Sequence, residues 1–126
     1  EGNRASASQA PVNAILAFER NWQKRFTEFA PHAVAAQKFF EDEGERIPLG
    51  RLCAQVQAGY FITAVRALGL DAGPITGAGF EAIAADAVLL GGQDQQPFLV
   101  VNIGYGLGPF RERGVRFSFE QTTRTV

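Results

Sequence analysis

Residues 97–105, Pro-Phe-Leu-Val-Val-Asn-Ile-Gly-Tyr, are the most strand-like stretch of this sequence of 126 residues. Their aromatic and β-branched side chains favour extended backbone, and the stretch is apolar enough to lie in the middle of a sheet. Residues 12–18 are also apolar and partly alternating, and Pro11 and Glu19 bound them, which predicts a second buried strand. Residues 72–76 predict a short extended segment.

Predicted helices lie between these predicted strands. Apolar residues recur every three or four positions in three stretches, 22–29, 33–43 and 80–89. Three terminators follow these stretches and are expected to end the helices: Pro31, Gly44 and the Gly91-Gly92 pair. The acidic residues 41–43 are expected to be a solvated face.

The longest element is expected over 49–68, where apolar residues keep a helical period. No charged residue occurs between Arg51 and Arg66, so this helix should be buried on most of its circumference, in a core or at a subunit contact. Gly69 is expected to cap it. Cys53 falls within the apolar stretch and is expected to be a buried packing residue.

The two ends of the chain differ from this pattern. Residues 1–9 are polar and lack periodicity, so a loop or a frayed end is expected. From Arg111 onward the chain is basic and then alternates over 117–120, as an edge strand or an arm would. The sequence has no Met and begins with Glu1, so we expect it to be part of a longer chain. Without repeats or a linker, residues 1–126 are expected to form one mixed α and β domain.

Composition excludes several classes of protein. With 46% hydrophobic and 20% charged residues, the chain is typical of a globular domain. The net charge of -1 offers no basic field for nucleic acid or an anionic membrane. The longest uncharged stretch has 16 residues, whereas a membrane span needs roughly 20 apolar ones. One cysteine and one histidine exclude an internal disulfide and a Cys/His metal cage, which suits a reducing cytoplasm.

The glycines of Gly104-Tyr105-Gly106-Leu107-Gly108 follow a predicted strand, as in a dinucleotide-binding fingerprint. Such a fingerprint also needs a helix that opens directly after the glycines. Here Pro109 and a basic stretch follow instead, so a turn that leaves the strand is the favoured interpretation.

His32, the single histidine, follows Pro31 in an expected loop, where it could polarise a substrate carbonyl or cap the next helix. Aromatic residues are dense around it: Trp22, Phe26, Phe29, Phe39 and Phe40 lie within 19 positions. Such density is typical of a core, and it also suits a cover over a planar ligand.

Two features favour a ligand. Residues 75–79 join a predicted strand to a predicted helix, and their backbone N–H groups could donate to a ligand while the glycines allow close approach. Arg111, Arg113 and Arg116 place three guanidinium groups within six residues, which suits a phosphate. Together they suggest a phosphorylated planar cofactor.

Short motifs along nearly the whole chain resemble the nitroreductase superfamily, in the right order and at nearly the right spacings. They are Ala10-Pro11-Val12, Phe29-Ala30-Pro31-His32, Gln57-Ala58-Gly59-Tyr60, Arg66-Ala67-Leu68-Gly69-Leu70-Asp71, Gly73-Pro74-Ile75-Thr76-Gly77, Asn102-Ile103-Gly104-Tyr105-Gly106 and Arg116-Phe117-Ser118-Phe119-Glu120. The malonic semialdehyde reductase, or 3-hydroxypropanoate dehydrogenase, branch is the most similar.

The resemblance implies an α+β sandwich with a mostly antiparallel sheet, and a homodimer built around the long helix. It implies FMN bound at the subunit boundary, with NAD(P)H as electron donor. It covers the carboxyl-terminal two-thirds or so of such a protein, because the amino-terminal helical segment with an Arg- and Ser-containing FMN motif has no counterpart here. A cytoplasmic location and a small-molecule electron acceptor are expected.

Site residues are carried over by motif. Pro74, Ile75, Thr76 and Gly77 match the turn that lies against the flavin ring in this family. Arg113 and Arg116 match the positions that hold the FMN phosphate, with Arg111 as a weaker third. Phe29, His32 and Phe40 fall in the segment that covers the substrate side. The chain departs from the family pattern at three places, 51–53, 78–79 and 95–97.

Three functional hypotheses follow. The first is an FMN-dependent oxidoreductase that passes hydride from NAD(P)H to a small semialdehyde, nitroaromatic, quinone or enone. The second is a non-catalytic flavin carrier or interaction subunit that lacks the amino-terminal half. The third is a small α+β ligand-binding domain in which the arginines form a surface patch.

Overall fold

A computed structural model describes residues 3–90, 94–108 and 112–126, and a three-stranded antiparallel sheet lies at its centre. The strands are β1 (Val12–Glu19), β2 (Asp71–Ile75) and β3 (Gln95–Gly104), in the spatial order β1-β3-β2. The predicted middle strand is therefore confirmed, and so are both of its neighbours. Because β1 and β2 are each antiparallel to β3, they run in the same direction as one another.

The register of the strands sorts their side chains onto two faces. Opposite Leu99 and Val101 on the first face lie Leu16 and Ala14 of β1. On the second face, Asn102 lies between Asn13 of β1 and Gly73 of β2. The pairing of β1 with β3 shifts by one residue between Leu16 and Ala17, because Phe98 of β3 has no partner; this is a β-bulge.

A 25-residue helix, which follows α1 (Arg4–Gln9) and α2 (Phe26–Phe29) in chain order, covers the first face. This helix, α3 (Glu43–Ala67), begins where the Asp42 side chain accepts a hydrogen bond from the Glu45 backbone N–H at 3.2 Å. The start predicted at residue 49 was too late, because Pro48 lies inside the helix. The stop predicted at Gly44 was wrong, because Gly44 lies in the first turn. Gly69, at a φ of 80°, follows the helix as predicted.

Among the described residues, only one side of α3 is covered by the rest of the chain. Its Ala58 joins the core formed with Phe18, Phe98, Leu99 and Val101, and its neighbours along the same side pack there too. Cys53 is exposed, so the prediction of a buried thiol was wrong. Burial on most of the circumference was also wrong for the single chain, because the helix has an apolar side that faces outward. That outward face consists of Leu52, Val56 and Tyr60, whose exposed fractions are 58%, 56% and 74%.

Short helices lie over the second face of the sheet. The helix α1 replaces the loop expected over 1–9, and the Asn13 side chain ties it to β1 by donating to the Ala7 carbonyl at 3.0 Å. The helix predicted over 80–89 is two helices, α4 (Phe80–Ala85) and α5 (Ala87–Leu90), because Asp86 adopts extended backbone between them. The predicted Gly91-Gly92 terminator lies outside the described residues.

The segment between β1 and α3 is more tightly wound than predicted. It contains a 3-10 helix over Trp22–Arg25, then α2, then a second 3-10 helix over Pro31–Phe40 with a break at Ala33. The α-helix predicted over 33–43 was therefore wrong. The acidic residues 41–43 do not belong to it, because Asp42 caps α3 and Glu43 is that helix's first residue.

The described tail, 112–126, is exposed along its whole length. The edge strand expected over 117–120 was wrong: Ser118 caps a short helix, α6 (Phe119–Thr122), through a capping box with Gln121. The alternative, an arm, agrees with the exposure.

The sheet thus lies between α3 on one face and the helices α1 and α4 on the other, which confirms the predicted α+β sandwich. Among the described helices, none combines the length and apolar character needed to cross a bilayer.

Replacement of Val101 with Ala tests the contact between the sheet and α3. Val101 is 0% exposed, so the substitution leaves a cavity, and we expect it to lower the free energy of unfolding by about 2 kcal/mol. Val115, which is 98% exposed, provides the matched control, and Val115→Ala should leave stability unchanged. Urea unfolding measures both variants, and equal stabilities would contradict this assignment of the core.

Candidate functional site

The residues predicted to contact a cofactor ring follow the edge strand β2. Pro74 and Ile75 are its last two residues. The Ile75 side chain is 9% exposed, and the residue pairs with Val100 of β3. An edge strand tolerates Pro74 because its missing N–H need not serve a second neighbour. Within the described part of the chain, the backbone N–H groups of Thr76 and Gly77 make no hydrogen bond. Two unpaired donors therefore stand next to each other where β2 ends.

A hollow of about 360 Å³ borders this turn on the second face of the sheet. Its apolar wall comes from Ile75, Val100 and Ile83, and its polar rim comes from Asn3 and Arg4; Ala7, Gly77 and Ala78 complete the lining. A Cβ added to Gly77 would lie 3.8 Å from the Asn3 Nδ2 atom, so the glycine leaves this side of the turn open. An apolar wall with a cationic rim suits a planar ring that carries polar groups at its edge.

Sequence reasoning missed Asn3 and Arg4. Both lie in the polar segment that lacked any period, and only the fold of α1 against the second face brings them to the turn. The one local signal was the serine-rich start, which did not distinguish a helix from a loop.

The predicted substrate-side residues Phe29 and Phe40 belong to one aromatic cluster, which we define as Trp22, Phe26, Phe29 and Phe40. Ring centroids lie 4.9 Å apart for Trp22 and Phe40, and also for Phe26 and Phe29. Phe26 is only 5% exposed, whereas Phe29 is 57% exposed, so the cluster is core on one side and open on the other. Phe26 therefore belongs to a core, as one interpretation of the aromatic density predicts, while Phe29 is open to a ligand, as the other requires.

Two predicted neighbours stand outside the aromatic cluster. Phe39 is 68% exposed and has the Lys38 ammonium 5.3 Å from its ring centroid. His32 is exposed in the second 3-10 helix, rather than in a loop ahead of an α-helix.

Topology relates the aromatic cluster to the cofactor turn. The aromatic cluster follows β1 and the turn follows β2, and these strands run in the same direction, so both groups lie toward the same end of the sheet. They lie on opposite edges, because β3 separates the two strands by a lateral distance of about 10 Å.

The arginines predicted to hold a phosphate are not brought to the turn. Arg113 and Arg116 are both exposed in the tail, and Arg116 donates to the carbonyls of Gly114 at 2.9 Å and Val115 at 3.1 Å. Arg113 makes no hydrogen bond or ion pair within the described residues. Arg111 lies outside them.

The glycine-rich segment after β3 serves a turn. The Gly106 N–H donates to Asp71 Oδ2 at 2.7 Å, and the other carboxylate oxygen of Asp71 pairs with Arg66. A Cβ on Gly106 would lie 2.7 Å from that same Oδ2 atom, so a larger residue would displace the Asp71 carboxylate. This agrees with the interpretation as a turn rather than a dinucleotide fingerprint.

No metal centre is found in the parts of the chain that the structure describes. No group of three or more His, Cys, Asp or Glu side chains lies close enough there to hold an ion.

An exposed ion pair joins Arg25 to Glu28 of α2, the helix that carries Phe29. Arg25 donates to both carboxylate oxygens of Glu28, with Nη2 at 2.7 Å, and also to Glu19. The hydrogen bond from Arg25 holds the pKa of the Glu28 carboxyl below its ordinary value of 4.5, and the same bonds raise the pKa of Arg25.

Replacement of Arg25 with Gln should raise the pKa of Glu28 back toward 4.5, which carboxyl carbon NMR titration would measure. A pKa lowered by folding stabilises the native state above the unfolded-state pKa, and this stabilisation is lost as the pH falls through the folded-state value. In the variant, the free energy of unfolding should therefore fall less as the pH drops through the pKa of Glu28. The control Lys24→Gln removes a neighbouring charge and should leave the titration of Glu28 as it is; an unmoved Glu28 pKa in Arg25→Gln would refute the assignment.

Comparisons with known proteins place this geometry in context. No family model matches the sequence. A protein of Leptothrix cholodnii, provisionally named an NADH dehydrogenase/NAD(P)H nitroreductase, is 39% identical over 122 residues, which are 95% of this chain and 61% of that protein. A protein of Streptomyces coelicolor with the same provisional name is 38% identical over 128 residues, 100% of this chain and 64% of that protein. The chain thus spans less than two thirds of the length of these curated relatives.

Two solved structures share the fold. A nitroreductase family protein from Streptococcus pneumoniae superposes with a TM-score of 0.76 at 18% identity, covering 99% of this chain and 69% of that one. A nitroreductase-like protein from Streptococcus mutans gives a TM-score of 0.69 at 22% identity, covering 93% and 63%. The chain therefore has a nitroreductase-like fold and is similar in sequence to proteins provisionally named NADH dehydrogenase/NAD(P)H nitroreductases.

Proposed function

We propose that this chain is part of an FMN-dependent oxidoreductase that takes hydride from NAD(P)H and reduces a small acceptor. The observation that carries the proposal is the pair of unpaired N–H groups at Thr76 and Gly77, beside a hollow with an apolar wall and a cationic rim. This arrangement occurs on a nitroreductase-like fold, at the turn that the sequence motif selects.

The residues around the turn fit a flavin. Ile75, with Pro74 before it, would line one side of the ring, while the N–H groups of Thr76 and Gly77 donate to its heteroatoms. The rim residues Asn3 and Arg4 add an amide and a guanidinium. We also propose that Arg113 and Arg116 hold the phosphate; this requires the exposed tail to fold over to the turn, and the Arg116 guanidinium then exchanges its bonds to the Gly114 and Val115 carbonyls for bonds to the phosphate.

A bound flavin supplies hydride chemistry that no side chain of the chain can perform. The protein's own contribution is electrostatic and geometric. Fixed N–H donors at Thr76 and Gly77 would stabilise negative charge that develops beside them, at little reorganisation cost. The wall formed by Ile75, Val100 and Ile83 would exclude water.

Phe29, His32 and Phe40 are the residues proposed to cover the acceptor. The open side of the aromatic cluster, at Phe29, offers an apolar surface for a planar or small organic molecule. His32 is exposed next to it in sequence and can donate a hydrogen bond to a carbonyl or nitro oxygen. A semialdehyde, a nitroaromatic and a quinone-like compound all fit this description, and the malonic semialdehyde reductase branch is the subgroup that we propose.

A homodimer completes the proposal. The outward face of α3 exposes three large apolar side chains one turn apart, which suits contact with a second copy of the chain. The single cysteine is exposed and unpaired within the described chain, which supports a reducing compartment, the cytoplasm.

The visible absorption spectrum after FMN addition and desalting tests the flavin site, and NAD(P)H oxidation with a nitroaromatic or a semialdehyde tests the activity. We expect a retained yellow chromophore and acceptor-dependent oxidation. Arg4→Gln and Arg116→Ala should each weaken FMN binding about tenfold, because each removes a charged donor. Arg124→Gln, an exposed arginine farther along the tail, is the control. Retained flavin without NAD(P)H oxidation would instead indicate a carrier, and failure of the full-length protein to retain flavin would refute the proposal.

Replacement of Val56 with Glu tests the dimer. A carboxylate in the middle of the outward face would be desolvated at a subunit contact, so the variant should sediment as a monomer while the unaltered protein sediments as a dimer. Gln55→Glu adds the same charge one residue away, off the outward face, and should not change the mass in solution. A monomeric unaltered protein would contradict the interface assignment.

A further inference from the structure

Arg46, in the first turn of α3, connects three segments that meet beside the aromatic cluster. Its side chain is buried, at 8% exposure. The guanidinium donates from Nε to the Arg20 carbonyl at 2.9 Å, and from Nη1 to the carbonyls of Phe40 at 3.2 Å and Glu41 at 2.7 Å. One side chain thus links the residue after β1, the end of the second 3-10 helix and the start of α3.

The backbone of Arg46 holds the aromatic cluster directly. Its carbonyl accepts a hydrogen bond from the Trp22 indole Nε1 at 3.1 Å. One turn later, a Cβ on Gly50 would lie 2.7 Å from that Nε1 atom, so the absence of a side chain at Gly50 lets the indole approach the helix. Trp22 in turn contacts Phe40, with centroids 4.9 Å apart.

Burial of this charge is costly, which points to a specific role. No ion pair involves Arg46 in the described part of the chain, and the amino-terminal end of a helix disfavours a cation. The bonds that Arg46 makes go to backbone carbonyls, so its charge is satisfied by dipoles and not by a carboxylate. An apolar residue would fill the same space without the charge, but it could not donate to three carbonyls in the fixed geometry of a guanidinium.

We propose that Arg46 is a positioning residue that holds Trp22 and Phe40 in place and thereby sets the affinity for the electron acceptor. The inference rests on the proposed function, because it takes Phe29, His32 and Phe40 as the acceptor side. The cofactor turn follows the opposite edge of the sheet, so loss of these contacts changes acceptor affinity and leaves FMN affinity unchanged.

Trp22 is the single tryptophan of the chain, so emission excited at wavelengths that the two tyrosines do not absorb reports on this junction alone. Arg46→Gln keeps the backbone carbonyl that Trp22 contacts but loses the guanidinium bonds to the Phe40 and Glu41 carbonyls. Because Phe40 packs on Trp22, we expect the emission to move to longer wavelength and acrylamide quenching to increase. Arg46→Lys keeps the charge and some of the donors, so it should lie between Arg46→Gln and the unaltered protein. Lys24→Gln removes a cation from the neighbouring 3-10 helix and should behave like the unaltered protein. Circular dichroism verifies that each variant is folded.

The kinetic arm uses the same proteins loaded with FMN, with NADH as donor and 4-nitrobenzoate or menadione as acceptor. Arg46→Gln should raise the acceptor KM about tenfold, because a displaced apolar contact costs about that much, while kcat and the FMN Kd stay within twofold. A role limited to overall stability would lower the melting temperature and leave KM unchanged.

The outcomes separate cleanly. Increased quenching together with an increased acceptor KM supports the proposal. Unchanged quenching in Arg46→Gln overturns the positioning of Trp22, and increased quenching with an unchanged KM overturns its role in acceptor affinity. Should Arg46→Gln fail to fold, Arg46→Lys is held to the same two criteria. Failure of the proposed function is distinct, because the unaltered protein would then neither retain FMN nor oxidise NADH, while the fluorescence result still stands.

Discussion

The packing of β3 against α3 is the contact on which the rest of the structure depends. Val101 is completely buried, and its neighbours on the first face of the sheet meet Ala58 and adjacent side chains of the helix. Because β3 pairs with β1 on one side and β2 on the other, its position decides where both edge strands end. The aromatic cluster and the cofactor turn are extensions of those two strands. A single apolar contact thus orients the two halves of the candidate site.

The periodicity of apolar residues predicted the three strands and the long helix that this contact brings together. It predicted less well the positions where helices begin, because capping residues determine them. The alternating and apolar runs identified all three strands, because burial on a pleated surface leaves a strong pattern in a short stretch. The start of α3 was missed, because Asp42 and the backbone of Glu45 define it while Pro48 lies inside the helix. The tail was misjudged for the same reason, since the Ser118–Gln121 capping box outweighs alternation over four residues.

The candidate site was predictable where it follows a motif and unpredictable where it depends on tertiary packing. The turn at 74–77 stands at a strand end, as its motif implies, and Phe29 and Phe40 do share one cluster. Asn3 and Arg4 had no local signal, because only the docking of α1 brings them to the hollow. The exposed Cys53 shows a second limit of sequence patterns. A helical stretch without charges predicts an apolar helix, but it does not indicate which side of the helix packs against the sheet.

The edges of the sheet differ in a way that bears on how this chain behaves in solution. Pro74 lies in the edge strand β2 and has no N–H to donate, which limits pairing along that strand. The outer edge of β1 has no proline over its eight residues, and an apolar groove of about 300 Å³ runs beside it, lined by Ile15, Leu16, Phe61 and their neighbours. Among the described residues no strand pairs with this edge, and an unpaired edge next to an apolar groove favours strand addition. A further strand that pairs with this sheet would therefore add at β1, an element separate from the outward face of α3.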